Sequence, residues 1–129
     1  MKTPPSHSDL LEDATKAYAY LATTMSDGSP QVTPVWFNTD GDDVLINTAR
    51  GRVKDMNMRA RLQVALLIAD PHDPLRYLQI RGRIVDFTEQ GAIAHIGNLS
   101  IKYRGGGWTP VKSQVRVIFR IQPEHISVS

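Results

Sequence analysis

Two tight-turn signals in the first half of the chain lie so close together that no helix fits between the strands they join. Ser26-Asp27-Gly28-Ser29 and Asp40-Gly41-Asp42 each hold an Asp-Gly pair. Such pairs tolerate the positive φ that a tight hairpin demands. The runs around them, 18–25, 31–38 and 44–48, are rich in Tyr, Thr, Val and Ile, the residues that favour a pleated strand. Parallel neighbours need a crossover of about a dozen residues or more. The three runs are therefore expected to form an antiparallel meander. Pro34 lies inside the second run. Proline cannot donate to a ladder, so this strand should be an edge or carry a bulge.

Beyond residue 50 the period changes. Over 52–61, Val53, Met56 and Ala60 share one helical face and Lys54, Asn57 and Arg61 another. QVALLIA, from Gln63 to Ala69, is a nearly continuous apolar run that reads as a strand buried on both faces. A loop over 70–74 with two prolines precedes an alternating strand over 76–87. Ala92, Ile93, Ile96, Leu99 and Tyr103 give a helical stripe over 89–103, which Gly105-Gly106-Gly107 ends. A last long strand spans 113–121, Pro123 interrupts, and 125–128 forms a short final strand. At the start, Asp9 caps a helix to about Lys16, after a loose arm over 1–7. The sum is a mainly β, α+β architecture: about six antiparallel strands in a small barrel, with two or three helices outside.

Composition restricts function more than fold. A length of 129 residues suits one domain, here 1–129. Fifteen Lys and Arg against 13 acidic residues give a net charge of +2, too little for nucleic-acid binding by bulk attraction. No stretch is long and apolar enough to span a membrane. The N-terminal MKTPPSHSDLLED has no apolar signal core, and there are no cysteines. The expected address is cytoplasmic. His7, His72, His95 and His125 show no ligand spacing, so no metal is inferred. There is neither a G-x-S-x-G elbow nor a thiol nucleophile. An enzyme of this composition would take its chemistry from a bound cofactor.

One segment carries a local charge anomaly. NTARGRVKDMNMRAR, from Asn47 to Arg61, places Arg50, Arg52 and Lys54 where a strand feeds a helix N-terminus. The helix dipole repels cations there and its free N–H groups attract anions. Two readings follow. Either Arg52 and Lys54, with Thr48, Asn57 and Arg50 nearby, hold a phosphate, or this is a solvated basic helix end paired with Asp42, Asp43 or Asp55. Gln31 and Thr33 share one face of the hairpin strand, with Val32 and Pro34 on the other, and could read the polar rim of a flat ring laid against it, while Trp36 gives a bulky edge or is simply core. Arg76 and Tyr77 at the mouth of a strand could meet a second anion and stack on a ligand, or be a strand edge with a snorkelling arginine.

Four blocks in order, LATTMSDGSPQVTPVWF, INTARGRVKDMN, DPLRYLQIRGRIVD and GAIAHIGNLSIKYRGG, resemble the pyridoxamine 5'-phosphate oxidase-like family of FMN-binding split barrels. Within it they are most similar to the branch that uses the deazaflavin coenzyme F-420. The resemblance implies a split β-barrel and a homodimer with two cofactor sites at the subunit interface. It puts the cofactor phosphate on Arg52, Lys54 and Asn57 with Thr48 and Arg50 nearby, leaves Arg59 and Arg61 as surface charge, and sets the ring against Gln31, Thr33 and Pro34 with Val35 and Trp36 behind. Tyr77, a weak candidate for a catalytic proton donor, would approach from the second subunit. The implied activity is reduction, with hydride passing from reduced F-420 to a small unsaturated or flavin-like acceptor. FMN as cofactor of an oxidase or flavin reductase is the first alternative, and a binding or storage protein without turnover the second. The chain departs from the family where N-L-R-x-x-P-R-V is usual, having Leu62 and Gln63 in place of the proline and arginine.

Overall fold

The computed structural model describes residues 2–129. Seven strands form one antiparallel sheet: β1 (Ala19–Thr24), β2 (Pro30–Val35), β3 (Phe37–Asp40), β4 (Asp43–Ala49), β5 (Gln63–Asp70), β6 (Asp73–Thr88) and β7 (Arg116–Val128). A 3₁₀ helix (Pro5–Leu11) precedes them, α1 (Val53–Ala60) follows β4, and α2 (Ala92–Arg104) follows β6. The order across the sheet is β2-β1-β5-β6-β7-β4-β3. The two edges, β2 and β3, are consecutive in sequence and separated by Trp36 alone. Two peptide steps span at most about 7 Å, so the edges meet and the sheet curls into a split barrel. There are seven strands rather than six because the run over 31–38 breaks at Trp36, each half pairing with a different neighbour.

Both Asp-Gly turns form as expected, with Gly28 at φ 88° and Gly41 at φ 61°. Pro34 lies on the edge strand β2, where its missing N–H costs no ladder bond. The barrel interior is filled by alternate residues: Leu21, Ile46, Leu66, Ile68, Leu78, Ile80, Phe119 and Ile121 are all under 2% exposed. QVALLIA obeys this alternation too. Leu67 points outward and is 36% exposed, so β5 buries one face, not two, in this chain.

The ends of the chain differ from the sequence-based expectation. Residues 5–11 are a 3₁₀ helix where a loose arm and then a longer α-helix are predicted. Its Leu10 is fully buried in the barrel core, and Arg76 grips its Asp9 at 2.6 Å. A single buried leucine and an ion pair hold a short helix without the amphipathic length an α-helix would need. At the other end β7 runs unbroken through Pro123. Pro123 faces Gly82 of β6 at a register shift, where no ladder bond is demanded of it. The predicted 70–74 loop shrinks to a two-residue turn between β5 and β6.

Gly82 is the tightest point of the β6–β7 pairing, because a Cβ there would strike the carbonyl oxygen of Gln122. We predict that Gly82→Ala destabilises the protein by roughly 1–3 kcal/mol, the usual cost of overpacking. Urea denaturation measures it, and an unchanged midpoint would show that the two strands can part freely.

Candidate functional site

Helix α1 turns its polar side inward. Asp55, Asn57 and Met58 are buried, whereas Val53 and Met56 are exposed, which reverses the orientation predicted from its apolar residues. The cause is local hydrogen bonding. The carboxylate of Asp55 accepts the Gly51 N–H at 2.9 Å and pairs with Arg59 at 2.9 Å, supplying the negative charge that a helix N-terminus favours. Asn57 donates to Thr23 Oγ1 at 3.0 Å and accepts from Arg61 at 3.1 Å. Arg61 also donates to the Thr24 carbonyl at 2.6 Å. Arg59 lies 4.5 Å over the Phe87 ring. Neither arginine is the free surface charge predicted: both fasten α1 to the barrel.

With α1 held, Arg52 at its N-cap and Lys54 in its first turn face a cleft of about 320 Å³. Pro34, Val35 and Trp36 line it from the β2–β3 crossing, Tyr18 from the start of β1, Asn47 from β4, Ile96 from α2, and Trp108 and Arg116 from the approach to β7. A larger cavity of about 540 Å³ lies near the N-terminus and is lined by Glu12, Asp13 and Asp42 with Lys2. Its acidic walls suit an anionic ligand poorly, so size alone does not decide between the two.

The smaller cleft is electropositive. Arg52, Lys54 and Arg116 share it, and none has an acidic partner among the described residues. Burial, then the charges of Arg52 and Arg116, pulls the Lys54 ammonium below its ordinary range. Burial and Arg52 bring the Arg116 guanidinium down to about 10. Arg116 is only 6% exposed, and its bonds go to neutral oxygens, Asn47 Oδ1 at 2.9 Å and Gln114 Oε1 at 3.1 Å. Like charges gathered without a counter-charge are disfavoured until an anion joins them. The indole Nε1–H of Trp108 is buried with no acceptor among the described residues, and its ring covers Arg116 at 5.3 Å. An orphaned donor beside three cations fits a group rich in negative oxygens.

One wall of the cleft is aromatic. Trp36 stacks on Tyr103 at 5.4 Å and 7°, and Tyr18 stacks on the same ring at 5.3 Å. The Tyr103 hydroxyl donates to the Ala17 carbonyl at 2.6 Å and lies 3.3 Å from the Phe37 N–H, which donates to it. Burial raises its pKa, so this ring is a fixed neutral support. Trp36 is therefore half-buried cleft wall rather than simple core.

Of the predicted positions, the structure brings Pro34, Arg52 and Lys54 together at this cleft. Asn57 and Gln31 are tied to Thr23, the latter at 3.3 Å. Thr33 and Thr48 hold buried hydroxyls without partners among the described residues, but neither lines the cleft. Arg50 pairs with Glu89. Arg76 is clamped between Asp9 and Asp70, beside Tyr77, whose backbone bonds to Ser129. Arg50, Arg76 and Tyr77 thus stand outside the cleft. Sequence reasoning missed Arg116, Tyr18 and Ile96. The alternation of 113–121 sets Arg116 opposite the core residues Val117 and Phe119, and β4–β7 pairing seats it across from Ala49. An arginine on a strand next to a basic segment is a signal visible only once that pairing is known.

The sequence profile of the pyridoxamine 5'-phosphate oxidase family matches residues 6–129. The chain belongs to this family. Its structure is similar to that of an F-420 reductase, with 34% identity over 97% of this chain and 98% of that one and a TM-score of 0.87. General Stress Protein 26 from Bacillus anthracis shares the fold at 18% identity, covering 94% and 88% of the two chains, TM-score 0.71. HupZ of Group A Streptococcus does so at 16%, covering 98% and 94%, TM-score 0.70. No curated protein matches the sequence. Family and fold place the chain among oxidoreductases of flavin or deazaflavin type. Among the described residues, no helix is long and apolar enough to cross a membrane.

His95 of α2 is buried behind this cleft, and burial pushes its pKa from 6.5 down to about 4. The unfolded chain binds this proton near 6.5 and the folded chain only near 4. The stability this residue permits is complete above the upper value and lost as pH falls towards the lower one. We predict a loss on the order of 3 kcal/mol across that window, and a flatter stability profile for His95→Gln. Denaturant midpoints measured at pH 4.5, 5.5 and 6.5, about the interval the linkage spans, check both; parallel profiles would contradict the buried neutral imidazole.

Proposed function

We propose that this protein is a reductase that binds reduced coenzyme F-420 in the cleft and passes hydride to a small unsaturated or flavin-like acceptor. The observation that carries the reading is the convergence of Arg52, Lys54 and Arg116, without an acid, beside a stacked aromatic wall. The 34% identity to an F-420 reductase over nearly the full chain supports the deazaflavin over FMN. When bound, the cofactor supplies the hydride from its central ring. The chain's own residues bind, orient and exclude water. Arg52 and Lys54 neutralise the anionic tail. The Tyr18–Tyr103–Trp36 stack offers a rigid flat support for the ring, and Trp108 covers the cleft from the loop before β7. The reading includes a homodimer, in which residues outside this cleft, Tyr77 among them, serve the second copy's site.

Both tryptophans of the chain, Trp36 and Trp108, line the cleft. Their fluorescence therefore reports occupancy directly. Titration with F-420 and, separately, with FMN is expected to give quenching at micromolar F-420 and much weaker quenching by FMN. The reverse order would overturn the deazaflavin assignment, and no quenching by either would overturn the site. In the same assay Lys54→Ala should weaken F-420 binding about tenfold, since a charge-assisted hydrogen bond contributes about 1.5–3 kcal/mol. Unchanged affinity would move the anion elsewhere.

A further inference from the structure

We propose that His95 is a positioning residue of the cleft: through Asn47, its neutral imidazole fixes the plane in which the Arg116 guanidinium presents itself to a ligand oxygen anion. The inference rests on the cofactor reading of the cleft and adds to it a residue that touches neither cleft nor ligand.

The argument follows hydrogen-bond roles that leave no freedom. A guanidinium only donates and a carbonyl only accepts. Asn47 stands between one of each: its amide faces Arg116 Nε at 2.9 Å and the Ala92 carbonyl at 2.9 Å. Oδ1 must therefore accept from Arg116 and Nδ2 must donate to Ala92. The flipped amide would set N–H against N–H and oxygen against oxygen in a buried place. Nδ2 also lies 3.1 Å from His95 Nδ1. Because Nδ2 donates, Nδ1 must accept, and the imidazole proton sits on Nε2. That proton goes to Asn38 Oδ1 at 2.8 Å. A protonated imidazole would turn a donor towards the Asn47 amide hydrogens, breaking the chain. The chain Asn38–His95–Asn47–Arg116 thus crosses from β3 through α2 and β4 to β7, and each link has one permitted polarity.

At its end Arg116 is fixed on three sides. Asn47 holds Nε, Gln114 holds Nη1 at 3.1 Å, and Trp108 covers the plane at 5.3 Å. Nη2 alone has no acceptor among the described residues. A guanidinium with one open edge, in a cleft that it shares with Arg52 and Lys54, is arranged to receive an oxygen from a phosphate, a carboxylate or a ring carbonyl. His95 and Asn47 set the direction of that edge.

The test is a double-mutant cycle on the full-length protein with F-420 and FMN as probes, read by tryptophan quenching. A second readout needs no ligand: the Arg116 Nε–H signal in ¹H–¹⁵N spectra. His95→Phe keeps a planar ring and removes both hydrogen bonds. It should weaken binding about fivefold to tenfold and broaden or shift the Nε–H signal. His95→Gln can accept and donate in the same directions, and should recover binding to within about threefold. In an Arg116→Gln background, His95→Phe should cost less than about twofold further. A merely structural role would instead multiply the two losses in full, and that outcome overturns the proposal. So does a His95→Phe protein whose affinity and Nε–H signal match wild type. If wild type binds neither cofactor, the cofactor reading fails, while loss of the Nε–H signal in His95→Phe still supports the positioning and its retention still refutes it. Should His95→Phe not fold, Asn38→Leu, which removes only the Nε2 acceptor, carries the same two expectations.

Discussion

Everything in this structure follows from the passage of the chain through Trp36. One residue joins the two edges of a seven-stranded sheet, so the sheet has to close around its own apolar face. The two edges are brought together at this one residue without pairing to each other. This leaves a seam. Trp36 cannot enter the ladder on either side, and its ring is displaced to stack against Tyr103 of α2. The cleft opens at this seam, where the β2–β3 crossing, the start of β1 and the N-terminus of α1 converge. The site is a consequence of how the barrel closes, not an addition to it.

The second requirement is to keep three cations together without a counter-charge. Burial first, and the repulsion of neighbouring cations second, depress Lys54 and Arg116. Each is anchored by a part of the fold that does not depend on a ligand. Arg52 and Lys54 ride on a helix whose inner face is fastened through Asp55, Asn57 and Arg61. Arg116 stands on β7, the strand that carries Phe119 and Ile121 into the core. The core therefore sustains a local arrangement that is unfavourable by itself. Such arrangements are typical of functional sites, where strain or repulsion in the empty state becomes affinity in the filled one.

Much of this was legible in the sequence, and the boundary has a physical cause. Local features read correctly: the Asp-Gly turns, the edge character of Pro34, the stripe of Ile96, Leu99 and Tyr103. Arg52 and Lys54 stood out because a charge anomaly at a helix start needs only neighbouring residues to be seen. The orientation of α1 did not, because hydrophobic periodicity presumes that apolar residues face inward. Asp55 and Asn57 are buried here because their hydrogen bonds lie within reach. The final strand and the N-terminal helix were misjudged for a related reason. Pro123 and Leu10 obtain their partners, Gly82 and the barrel core, from distant parts of the chain. Arg116, 62 positions beyond Lys54, joins the site only through β4–β7 pairing.

The loop between α2 and β7 has a different standing from the rest of the cleft. Residues 105–115 belong to no strand or helix and supply Trp108 as a cover. Its inner end is tied down chiefly by a 3.4 Å bond from Ser100 to the Gly107 carbonyl and, at the far end, by the Arg50 N–H on the Val115 carbonyl. Between those two points Trp108 packs on Ile96, Leu99 and Tyr103 and over Arg116, and Gln114 accepts from Arg116, whereas residues 109–113 are exposed. Length and composition over 109–113 can change across descendants while Trp108, Gln114 and the cation-bearing floor stay in place. A fold of this kind separates what holds an anion from what borders it, and can vary the border one loop at a time.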